Sequence, residues 1–166
     1  MQEPVRSDLS YAAIREYAEK IGSHHDIYDE NGHADVDGLF ATLGGRVHPF
    51  LDLPEPLIIE EPNSFVVSQR SFINWRKQRF FLAKSIGHYF LHYRYPGIET
   101  YMKFYGRASD SEIDTQANHF AATLIMPAKQ FTQQYEKLEG DRMQLSELFD
   151  ISPLAVKVRA ELLGLL

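Results

Sequence analysis

Between Arg79 and His92 the chain reads RFFLAKSIGHYFLH. Lys84, His88 and His92 stand four residues apart, so a helix over this stretch stacks them on one face, a turn apart. Phe80, Phe81, Ile86, Phe90 and Leu91 supply a broad apolar surface around the rest of it. A helix this apolar packs inside a domain. Burying an aligned lysine and two histidines costs free energy unless they find partners. The stretch therefore constrains the fold to one built around a central helix with a polar stripe.

The remaining pattern supplies what surrounds that helix. Ser7 or Asp8 can cap a first helix through about Ile21, with Tyr11, Ile14, Tyr17 and Ala18 as its buried stripe. GSHHDIYDENGHA, with His24, His25 and His33, reads as a solvated polar loop. DVDGLFATLGG reads as a short helix ended by Gly44 or Gly45. RVHPFL, PLIIEE and SFVVSQ read as three short strands separated by Pro-rich and turn-forming residues. The central helix is expected from about Ser71 to Tyr93, before Pro96 and Gly97. Residues 94–110 form an aromatic-rich connection, followed by a helix from about Asp110 to Ile125. Pro127 suits the first turn of a further helix. The tail reads as two short helices meeting at Asp150–Ser152. This order, two helices, three strands, then helices alone, predicts an α+β fold with a small antiparallel sheet of about three strands packed on helices and a helical C-terminal part.

Bulk properties exclude several function classes. The chain has 166 residues and 44% hydrophobic content, enough for one domain with an ordinary core. Its formal net charge of −6 disfavours a broad nucleic-acid-binding face. The tail has the rhythm of a helix-turn-helix, but Lys157 and Arg159 are offset by Glu147, Asp150 and Glu161, so direct DNA reading is not expected. No cysteine is present, which excludes disulfides and thiolate metal sites and suits a reducing cytoplasm. No apolar leader or membrane-length run is visible, so a soluble cytoplasmic protein is expected.

Zinc peptidases place HExxH on a helix. Two histidines one turn apart hold the metal, the glutamate activates its bound water, and a later helix supplies a third, acidic ligand. The frame of such a site is present here, with Gly87 before His88 and Asp114 on a later helix. RFFLAKSIGHYFLH resembles the RFTLAHELGHYLLH pattern of the ImmA/IrrE family of zinc metallopeptidases. DTQANHFAATLIMP, from Asp114 to Pro127, resembles that family's second signature, roughly ExxANxFAAxLLMP. LSELFDISPLAVKVRAELLGLL resembles its usual ending. The similarity spans nearly the whole chain, and it implies a zincin-like core over residues 1–126 with a helical extension over 127–166, together one domain.

Carried over by position, the resemblance leaves His88 as the second histidine ligand and Asp114 as the acidic one. It places Lys84 at the first ligand position and Ser85 at the catalytic glutamate. A lysine ammonium has no lone pair and repels Zn²⁺, and a serine hydroxyl is too weak a base near neutral pH. No cofactor is expected, and Lys84 is expected to replace the metal's charge in a buried pair with Asp114. Alternative ligands are His92 with His88, completed by Asp114 or Glu112, and His119 is a candidate for the same cavity. Arg79 reads as a salt-bridge or helix-start residue. Ser85 as a nucleophile and Lys84 as a Schiff-base amine lack the supporting groups such chemistry needs. The resemblance implies a pseudopeptidase that binds a protein, a helix-turn-helix repressor or other transcription regulator of phage, mobile-element or stress loci. The competing expectation is an active zinc endopeptidase with altered ligands that cleaves such a regulator, and family context also suggests a toxin component. Oligomeric state is not legible.

Overall fold

The computed structural model describes residues 2–49, 57–68, 74–104 and 111–166. Helix α1 (Tyr11–His24) starts where the Ser10 side chain accepts from the Ala13 N–H, three residues beyond the expected Ser7 cap. It buries Ile14, Ala18 and Gly22 along one face. Helix α2 (Val36–Thr42) is capped by Asp35 through the Gly38 N–H. Strands β1 (Gly45–His48), β2 (Leu57–Glu61) and β3 (Ser64–Ser68) follow. Helix α3 (Trp75–His88) is capped by Asn74 and runs directly into a π-helical turn, Tyr89–Arg94. After strand β4 (Met102–Phe104) come α4 (Ser111–Ile125), α5 (Ala128–Lys137), α6 (Arg142–Phe149) and α7 (Pro153–Leu162).

The α+β class holds, but the sheet differs from the expected three antiparallel strands. Its order among the described residues is β1-β3-β2-β4, and β1 runs parallel to β3. Only the β2–β3 and β2–β4 pairs are antiparallel. The alternation of a strand carries no direction, so its partner and polarity stay open until the fold is known. The fourth strand comes from the aromatic connection, where Met102 and Phe104 turn inward and Lys103 lies between them. Three residues are too few to register as a periodic signal. The central helix also departs from a uniform α-helix: the Tyr95 N–H bonds the Phe90 carbonyl, five residues back. The expected start at Ser71 and the residues 105–110 before α4 lie outside the described set.

Helix α4 packs on α1 and on α3, and a single hydrophobic cluster runs from Ile14 through the sheet and α3 to Val156 and Ala160 on α7. Tyr89 ties sheet to helix. Its ring stacks on Phe65 at 4.8 Å, and its hydroxyl accepts from the Asn63 N–H in the β2–β3 turn. The tail closes onto the core as Arg159 Nε donates to the Met126 carbonyl at 2.9 Å. Among the described residues no helix is long and apolar enough to cross a membrane.

Gly44 makes the turn from α2 into the sheet with φ +93°, and a side chain there would collide with the Asn63 carbonyl. Its own carbonyl accepts from Phe65 N–H, at the start of the β1–β3 pairing. Gly44→Ala is expected to destabilise the fold by about 1–3 kcal/mol, read as a lower urea midpoint at unchanged slope.

Candidate functional site

The polar stripe of α3 meets the first turn of α4. That turn carries Glu112 and Asp114, where the helix N-terminus favours negative charge. Gly87 sets how closely the two helices approach. A Cβ on it would come within 3.1 Å of the Ala117 carbonyl and of Phe120 Cβ. At that distance Lys84 Nζ lies 2.7 Å from Asp114 Oδ1, and His88 Nε2 lies 3.9 Å from the same oxygen. Ser85 is fully buried, and its hydroxyl donates back to the Phe81 carbonyl at 2.9 Å, one helical turn earlier. A hydroxyl held this way faces its own helix.

Residues 75–161 match a family model described as the IrrE N-terminal-like domain. The chain belongs to this family. A search of curated proteins found no match.

In IrrE-like terms the residues present do not fit a zinc ion. Where the resemblance implies the first ligand, Lys84 sets an ammonium in contact with Asp114, which leaves His88 Nε2 and one engaged carboxylate as donors. Among the described residues no group of three or more His, Asp or Glu side chains is placed to hold a metal. A tetrahedral zinc site needs three or four such donors.

His88 nevertheless keeps an ordered setting. Gln116 is locked by two bonds to the Ser7 backbone: its Oε1 accepts from Ser7 N at 2.9 Å, and its Nε2 donates to Ser7 O at 2.8 Å. Oε1 also contacts His92 Nε2 at 3.0 Å, so that ring nitrogen carries the proton. With the pair uncharged, His92 Nδ1 then accepts from His88 Nδ1–H, 3.0 Å away. The His88 Nε2 lone pair is left facing Lys84 and Asp114. His92 thus orients His88 and offers no second ligand beside it, against the alternative pairing read from spacing. Ser7 is expected only as a helix cap and Gln116 not at all, because nothing in their local pattern shows a partner 109 residues away.

The remaining candidates separate by helical phase. Glu112 and His119 fall within about 20° of one another around α4, and Asp114 lies on nearly the opposite side. Tyr11 accordingly meets both of the former. Its hydroxyl donates to Glu112 and its ring stacks on His119 at 4.3 Å. Neither joins Lys84 and His88. Arg79, read as a salt-bridge or helix-start residue, lies inside α3 and not at its start, and burial holds its guanidinium below its ordinary pKa against the pull of Asp150, Asp37 and Asp35.

The Lys84–Asp114 pair is less buried than the sequence reading supposed. Their side chains are 22% and 38% exposed, so the pair sits at the mouth of the cleft. The 3–5 kcal/mol typical of breaking a buried pair does not apply, and water screens both charges. Lys84→Ala is expected to cost about 1 kcal/mol or less, a melting shift of no more than about 2–4 °C.

Burial, then the neighbouring His92 and Lys84, hold His88 well below the ordinary 6.5, so it stays uncharged in the fold. The unfolded chain takes up that proton as pH falls through about 6.5, and binds more protons than the folded one. Stability is therefore full above that pH and declines below it. Melting points measured from about pH 7 down to about pH 5 should fall, and fall less steeply in His88→Asn.

Proposed function

We propose that this chain is a pseudopeptidase: a zincin-derived domain of the IrrE type that acts in the cytoplasm by binding a protein and does not cleave it. The partner is a helix-turn-helix repressor or another transcription regulator, of the kind the family resemblance implies. One observation carries the reading: at the position where the motif calls for the first metal ligand, an ammonium sits 2.7 Å from the acidic ligand. The buried, back-bonded Ser85 at the base position supports it further. A chain in this state has lost both the metal's charge site and the group that would activate water, while it keeps the cleft between α3 and α4.

One feature favours the second reading, an active zinc endopeptidase with altered ligands. His88 retains the tautomer a metal ligand needs, its other nitrogen donating to an orienting partner. Metal analysis separates the two. Protein purified without chelator is expected to carry no stoichiometric zinc. About one equivalent, lost in His88→Ala or Asp114→Ala, would overturn the pseudopeptidase assignment.

Lys84→His would complete a set of two histidines and a carboxylate. This variant is expected to retain zinc after dialysis where the natural chain does not. Co-expression with the regulator encoded beside it is expected to yield an uncut complex; cleavage of that regulator would decide for the enzyme.

A further inference from the structure

From the mouth of the α3–α4 cleft a groove runs along α3 toward the α6–α7 turn, with a volume of about 500 Å³. Phe80 and Phe81 form one apolar wall, and Ile151, Pro153 and Ala155 form the other. Its charged lining is entirely cationic: Arg76, Lys77 and Lys84, with no Asp or Glu among the described residues. Lys84 is engaged by Asp114. Arg76 donates to Ser146 Oγ at 3.0 Å and lies over the Trp75 ring, and it makes no ion pair among the described residues. Lys77 is exposed and makes no ion pair among the described residues. In a chain of net charge −6, a groove with no carboxylate among its described lining residues is a local reversal of sign, and the one exposed carboxylate beside it on α7, Glu161, is paired with Lys157.

The apolar surface continues beyond the groove. Leu154, Val158 and Leu162 are all about half exposed or more, and they follow one another at four-residue steps along α7. With Ala155, which lines the groove, they fall within about 100° around the helix axis. The groove wall and this stripe are one face. Such a face takes an amphipathic helix whose apolar side lies along the stripe.

We infer that the groove between α3 and the α6–α7 turn, with the outer face of α7, docks an acidic amphipathic segment of the partner protein. Apolar residues of that segment cover Leu154, Val158 and Leu162, and its carboxylates meet Lys77 and Arg76. The inference rests on the binding reading above for the occupant being a protein. The extent of apolar surface, beside only two cations without an ion pair among the described residues, favours it over nucleic acid, which needs a run of phosphate contacts.

The test uses the full chain and fluorescence anisotropy. One probe is a labelled amphipathic peptide of about four helical turns, with leucines on one face and glutamates beside them. A second has every glutamate replaced by lysine, and a third is a labelled oligothymidylate. The acidic peptide is expected to bind and the lysine peptide not to. Lys77→Glu and Val158→Asp, both at exposed positions, should each weaken binding by about fivefold or more with unchanged melting curves. Equal binding of both peptides, no binding of the acidic one, indifference to both substitutions, or preference for the oligonucleotide would each overturn the assignment. A regulator complex that forms equally well with Lys77→Glu would also overturn it while leaving the pseudopeptidase reading intact. Stoichiometric zinc in the natural chain would defeat that reading and leave the groove standing.

Discussion

Everything at the site depends on the close approach of two helices. Gly87 lets α3 lie against the backbone of α4 at Ala117 and against Phe120, with no side chain between. At that separation Lys84 reaches Asp114 and the His88 ring faces the same carboxylate. Tight packing of this kind has little slack, because protein interiors are filled to crystal-like density. The polar geometry is therefore a consequence of an apolar constraint.

Around that contact the fold supplies two kinds of support. The sheet holds α3 from one side through Phe65, Tyr89 and the Asn63 turn. From the other side, the irregular N-terminal segment reaches in through Ser7 to hold Gln116, and through it the two histidines. The second support is polar and buried, so each of its members needs its partner. It fixes ring orientation without touching the Lys84–Asp114 pair, so the His88 imidazole is held independently of that ion pair.

Much of this was legible in the chain. Four-residue spacing and the paired signatures located the central helix, the α4 carboxylate and the contact between Lys84 and Asp114. Ser152 as an N-cap and the Asp150 turn were readable from local chemistry, and Asp150 does adopt a left-handed conformation with φ 52°. What could not be read was long-range or collective. Exposure of the ion pair depends on where two helices end relative to the surface, and the parallel pairing of β1 depends on a chain path that strand alternation does not encode. The groove cations had a visible trace, the basic cluster WRKQR at the start of α3, but the lack of acidic residues among the described groove lining is a property of the folded surface.

The salt bridge at the cleft mouth also changes what the domain requires of its surroundings. Where a metal ion links two helices, the link exists only when the ion has been supplied, and a chelator can undo it. Here the cation that joins α3 to α4 is covalently part of α3. The contact needs no supplied ion, because both of its charges, 2.7 Å apart, are side chains of the chain itself.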